Sequence, residues 1–180
     1  ARDLPYKELV HGTKQFIIPI FQRDYSWGTK NCLRLWEDIV RVGSDPAAKG
    51  HFIGSVVYIA AEESTASISR WLLIDGQQRL STLTLLLVAL RNQLEKKQKK
   101  EDYPTSEEID DHFLINRYGK GDQKTKLTLR RMDHETLLAY IEDKELPGNA
   151  SEAITENFEF FNEKLEDADL GMVYNGINKL

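Results

Sequence analysis

The sequence predicts an α+β fold: a small mixed sheet with associated helices, followed by a mainly helical region. Short runs rich in β-branched and aromatic residues fall within the first 75 residues. One long apolar helix follows them. Beyond residue 100, apolar residues recur at helical spacing between capping and breaking signals. With 180 residues, 41% hydrophobic and 29% charged, the chain has the composition of a soluble globular protein able to fill a core.

Phe16–Ile20 reads as a short strand, with Pro19 placing it at an edge or at the strand's end. A polar and aromatic turn follows, Phe21 to Trp27. Cys32, Leu33, Trp36, Ile39 and Val40 have helical spacing, with Thr29 as the expected N-cap and Gly43 just past the end. After a loop over 44–50, residues 52–59 predict a strand, 61–69 a polar connection, and Trp71–Ile74 a second strand able to pair with the first as a hairpin. Asp75-Gly76 breaks that strand. A long helix starts near Gln77 and is apolar all round between Leu83 and Leu90, so burial on more than one side is expected. Its end is basic (Lys96, Lys97, Lys99, Lys100), as suits the helix dipole.

Thr105 and Glu108 match a capping box before a short helix. Residues 126–130 alternate like a strand. Asp133 is the expected cap of a helix carrying Leu137, Leu138 and Ile141, ended by Pro147-Gly148. Ser151 caps the next, with Ile154, Phe158, Phe161 and Leu165 on one face, and 171–180 continue in a helical pattern. The expected division is 1–100 and 101–180. Ala at position 1 and the helical C-terminus lead us to expect part of a longer protein, with a further C-terminal domain.

Several function classes are excluded. One cysteine, Cys32, rules out a disulfide framework, a thiol redox pair and a multi-cysteine zinc site, and it reads as a core residue. The four histidines lack metal-ligand spacing. No Walker loop, dinucleotide fingerprint or nucleophile elbow occurs. No apolar run is long enough for a bilayer and no signal peptide is apparent, so the cytoplasm, and no membrane partner, is expected. The net charge of −5 hides an asymmetry: residues 1–131 hold 21 basic and 17 acidic side chains, residues 132–180 only 3 and 12. Arg117, Lys120, Lys124, Lys126, Arg130 and Arg131 face only Asp122, a stretch that could attract phosphates or stand as a solvated surface.

Ile74-Asp75-Gly76-Gln77-Gln78-Arg79 is the segment with most chemistry. An apolar strand stops, a flexible pair follows, and a helix begins with free N–H groups and its positive dipole end. Gly76 lets a phosphate approach the backbone, and Arg79 suits bidentate phosphate contact. Gln77 or Gln78 can bond to phosphate, base or an attacking water, and Ser81 and Thr82 add hydroxyls. Asp75 would repel a phosphate, so it makes more sense holding Mg²⁺ or orienting an arginine. The alternative is a plain helix start with Asp75 as cap and Arg79 on the surface. Gln22 and Arg23 form a second candidate, with Tyr25 and Trp27 able to stack on a base or to sit in the core. His51 is a candidate base or nucleotide contact, or a structural residue at a strand start.

Residues 16–27, Leu35-Trp36-Glu37-Asp38-Ile39, His51-Phe52-Ile53-Gly54-Ser55 and residues 74–83 together resemble the successive motifs of the DGQQR family. This is the GmrS-type N-terminal domain of modification-dependent restriction and phage-defence proteins, long catalogued without a function. The similarity is close over 1–100 and weaker beyond. It implies a ParB/sulfiredoxin-like core and a nucleoside-triphosphate site whose hydrolysis controls an HNH nuclease domain expected beyond Leu180. Gln77 and Gln78 stand where sulfiredoxins carry cysteine, so sulfinic-acid repair is not expected. On this reading Asp75, Gln78 and Arg79 are catalytic, with Asp75 also holding Mg²⁺. Gln22, Arg23, Gly76, Gln77, Ser81 and Thr82 bind the nucleotide, and Tyr25 and His51 form the rim. DNA is the expected partner of the full-length protein. The charge of a triphosphate leads us to expect Arg23 and Arg79 in one pocket. The alternative is a non-catalytic module that recognises modified DNA.

Overall fold

The strands are short and their pairing is largely parallel. A computed structural model describes residues 2–62 and 68–180. In chain order the elements are α1 (Tyr6–Leu9), β1 (Lys14–Ile17), α2 (Thr29–Ser44), β2 (Val57–Ala60), β3 (Ser69–Asp75), α3 (Gln77–Lys96), α4 (Ser106–Ile109), β4 (Leu127–Thr128), α5 (Arg131–Ile141), α6 (Glu152–Glu166) and α7 (Leu170–Asn178). A π-helical turn (Asp110–Leu114) prolongs α4, and a 3-10 turn (Gly121–Lys124) precedes β4. The architecture is α+β, as expected. The sheet order is β2-β3-β1-β4, with β1 parallel to β3 and β4, and β2 antiparallel to β3. Phe16, Leu73 and Leu127 share the inner face and are buried.

The core is built around α3. Leu83 and every residue from Leu85 to Leu90 are fully buried, which explains a sequence apolar on all sides. The apolar stripe of α6 (Ile154, Phe158, Phe161, Leu165) covers one side of α3. Gln93 donates to Asn162 at 2.9 Å, and Lys97 to the Leu165 carbonyl at 2.7 Å. On the flank α2 packs against α7, where Ile39 and Gly43 meet Gly176 and Met172, and Cys32, Trp36, Ile39 and Val42 form its buried face. One hydrophobic cluster runs from Tyr6 to Leu180, and β4 inserts the second half of the chain into the sheet of the first.

Several boundaries differ from expectation. β1 starts at Lys14 and ends at Ile17, before Pro19. The strand expected over 52–59 is paired only from Val57, because Gly54 takes a left-handed φ of 109° and residues 54–55 face α3 instead of a strand. The hairpin of β2 and β3 is present, with an irregularity between Val57 and Tyr58; residues 63–67 of its connection lie outside the described residues. Thr29 opens α2 while Gly28 is the N-cap, its N–H bonded to Asn31, and Gly43 lies inside the helix. The expected strand over 126–130 is paired only at Leu127–Thr128. Arg130 stands at the N-cap position of α5 with no side-chain cap bond, and Asp133 lies inside the first turn with its carboxylate committed to the Tyr25 N–H at 2.8 Å. α5 stops at Ile141, ahead of Pro147, where Asp143 turns left-handed (φ 53°). Thr105 and Ser151 cap as expected, by bonds from Glu108 N (3.1 Å) and Ile154 N (3.4 Å).

Candidate functional site: the start of α3

β3 delivers Asp75 to the surface, and Gly76 then adopts φ 96°, the left-handed region that favours glycine. A Cβ there would press on Val56 at 3.2 Å. α3 starts without a side-chain cap. Its first internal bond runs from Leu80 N to the Gly76 carbonyl at 3.0 Å. The N–H groups of Gln77, Gln78 and Arg79 therefore point out of the helix end with no acceptor among the described residues. Asp75 uses one carboxylate oxygen on its neighbour, Gly76 N, at 2.9 Å.

The next three side chains tie α3 to three different segments. Gln77 donates to the Ile74 carbonyl at 2.7 Å, where the Gln22 amide also donates at 3.3 Å. Gln78 holds the 24–27 turn: its oxygen accepts from Ser26 N (2.9 Å) and Trp27 N (3.1 Å), and its nitrogen donates to the Asp24 carbonyl (3.3 Å). Arg79 donates to the Ser55 carbonyl and lies in the space a side chain at Gly54 would fill. Both amide ends of Gln78 are thus engaged with backbone, and in this arrangement it positions the turn.

The two sequence motifs meet, but their arginines do not share a pocket. Arg23, Gln78, Ser81 and Arg130 line a cavity of about 10 Å³ that Arg79 does not reach, room for one water and not for a triphosphate. Arg130 reaches the Gln22 carbonyl and pairs with Asp24 at 3.3 Å. Thr82 and Tyr25 are buried and bonded to each other at 2.6 Å. Thr82 donates onward to the Gln78 carbonyl (2.7 Å) and Asn157 donates to the Tyr25 hydroxyl (2.7 Å). Thr82 is therefore withdrawn from phosphate contact, and Tyr25 has no open face for a base. Burial raises the Tyr25 hydroxyl pKa, and it pushes the neighbouring Cys32 thiol up to about 12. Cys32 is an inert core residue. His51 pairs with Asp38 and Arg41, each at 3.2 Å, and so belongs with α2.

A sequence model of the GmrSD restriction endonuclease N-terminal domain matches residues 6–179. The chain belongs to this family. No curated protein matches it. The family sets the chain within a DNA-restriction, phage-defence protein, as its motifs led us to expect. The match runs across both parts of the chain, and the Asp75–Arg79 junction lies within it.

In this GmrSD-type domain the basic stretch 117–131 is not a single open patch. Lys126 is buried and donates to the Gly12 carbonyl, Arg130 turns inward, and Arg117 pairs with Asp111. No group of three or more His, Cys, Asp or Glu that could hold a metal exists among the described residues. The lone Asp75 carboxylate fits a Mg²⁺ only in company with phosphate oxygens and water. Sequence reasoning missed Asn157, read Asp133 as a helix cap and not as the partner of the Tyr25 N–H, and gave Gly54-Ser55 only as part of a family motif. A signal for Asn157 was present: it interrupts the apolar face of α6 between Ile154 and Phe161. No helix among the described residues is long and apolar enough to cross a membrane.

Proposed function

We propose that this domain binds a nucleoside triphosphate at the start of α3, and that hydrolysis there controls DNA cleavage by the restriction protein to which it belongs. The observation that carries the reading is the uncapped helix end on left-handed Gly76, flanked by Asp75 and Arg79. Three N–H groups and the helix dipole receive phosphate oxygens. Arg79 exchanges the Ser55 carbonyl for a phosphate oxygen, a stronger charge-assisted bond. Asp75 meets the Mg²⁺ that accompanies the triphosphate; when bound, that ion neutralises charge on the transferring phosphate. Because the inner cavity takes only a water, the triphosphate lies on the outer side of the first helical turn.

Phosphate release from GTP, UTP, CTP and ATP with Mg²⁺, paired with binding of each nucleotide, tests this. Asp75→Ala and Arg79→Ala are expected to bring release to background. Equal background release by all three proteins, with no nucleotide bound by any, removes the reading. The alternative, DNA recognition without catalysis, rests on Ile20 and Phe21, 81% and 73% exposed beside Arg23, where a base could stack. A steep loss of DNA affinity with salt, undiminished in Arg79→Ala, would favour it.

A further inference from the structure

Away from the start of α3, a cavity of about 340 Å³ opens where α5 ends against the bridge between Ile115 and Thr125. Its floor is mostly apolar, formed by Ile115, Leu138 and Ile141 with buried Thr125 as its one polar side chain, and its mouth carries Lys124, Glu142 and Lys144. Glu142 pairs with Lys144 at 2.7 Å. The Lys144 hydrogen bond, and behind it the charges of Lys144 and Lys124, hold the Glu142 carboxyl below its ordinary range. Of the three charged side chains that line the cavity, two are cations and one is a carboxylate; Asp143 and Glu145 adjoin them in sequence but do not line it.

Lysines after a helix commonly bond to its last carbonyls. Here those carbonyls are already taken. Arg91 donates to Tyr140 and Ile141, at 3.3 and 2.7 Å, while the N–H groups of Glu142 and Lys144 satisfy Leu138 and Ala139, each at 2.8 Å. Left-handed Asp143 turns the chain so that Lys144 stands beside Glu142. The cavity size lies within the range of small-molecule sites, about 300–1,000 Å³.

We propose that this cavity is a binding site for a small organic monoanion with an apolar body. The body covers the Ile115, Leu138 and Ile141 floor, and the anionic group sits between Lys124 and Lys144. The site is independent of the nucleotide reading, since no residue from Asp75 to Arg79 lines it.

Fluorescence titration of the whole domain with anilinonaphthalene sulfonate, an apolar body with one anionic group, tests the proposal against the uncharged phenylnaphthylamine of the same shape. The sulfonate is expected to bind saturably with one molecule per chain, and about tenfold more tightly than the neutral dye. Leu138→Trp should fill the floor and abolish both signals. The exposed pair Lys124→Gln/Lys144→Gln should equalise the two dyes. Phe21→Ser/Phe52→Ser should change neither. Equal binding of the two dyes to the native domain overturns the proposal. So does binding that survives in a folded Leu138→Trp, or binding lost in Phe21→Ser/Phe52→Ser.

Discussion

Arg79 and Gly54 form a matched pair: the guanidinium lies where any side chain at 54 would go. Gly54→Ala therefore meets two obstacles, a left-handed φ of 109° and a displaced arginine. The expected cost is about 1–3 kcal/mol, read as a lower Tm. Combined with Arg79→Ala the loss should be smaller than the sum of the single losses, because each removes the same contact; strict additivity would show that the two do not touch. A second test at this scale is His134. Its Nδ1 accepts from Leu129 N at 3.2 Å, and burial lowers its pKa below the ordinary 6.5, with Asp122 and Glu135 opposing. Below pH 6.5 the unfolded chain gains a proton before the folded one does. This contribution is complete above the unfolded pKa and lost as pH falls. Urea unfolding between about pH 7.5 and 5 should therefore show a steeper loss for the native protein than for His134→Gln; parallel profiles would remove His134 as the cause.

Between elements, small residues set the approach of α2 and α7. A Cβ at Gly43 would meet the Met172 carbonyl, and one at Gly176 the Ile39 carbonyl. Neither neighbour is a flexible side-chain end, so Gly176→Ala must push the helices apart. We expect a loss of about 1–3 kcal/mol, measured by chemical denaturation, whereas Gly148→Ala, with open space around it, should be near neutral. Sequence alone suggests that Gly43 ends α2, because a glycine after a periodic run is a common stop signal. Its packing role depends on Gly176, far along the chain. The same distance hides Gln78. Polar residues opening a helix suggest ligand contact, yet Gln78 bonds to a turn some fifty positions earlier. Gln78→Ala should accelerate amide exchange at Ser26 and Trp27 and leave the centre of α3 protected. Unchanged exchange at both amides would mean that the turn holds itself. By contrast, the Ser151 cap, the buried α3 and the Asp75-Gly76 break rest on neighbours in sequence, and for that reason they were legible.

For the whole molecule, composition and folding divide the chain differently. Element type changes near residue 100, which is what the sequence displays. The core does not change there. α6 covers α3, β4 completes the sheet beside β1, and Tyr6 N bonds to the Leu180 carbonyl at 2.8 Å. Separating residues 1–100 would expose the α6-facing side of α3, at about 25 cal/mol for each Å² of apolar surface opened to water. It would also leave β1 without its β4 partner. Net stabilities of whole domains are only about 5–15 kcal/mol, so the fragment has no margin for such exposure. We therefore expect residues 1–100 alone to show no cooperative unfolding transition and the intact chain to show one. Two probes can establish this, because Trp27, Trp36 and Trp71 all lie before residue 100. Their fluorescence reports the first part, while amide exchange in α6 reports the second. Coincident transitions in denaturant mean one folding unit. A fragment of residues 1–100 with a sharp transition of its own, or α6 opening at a lower denaturant concentration than the tryptophans report, would make the second half a separable extension.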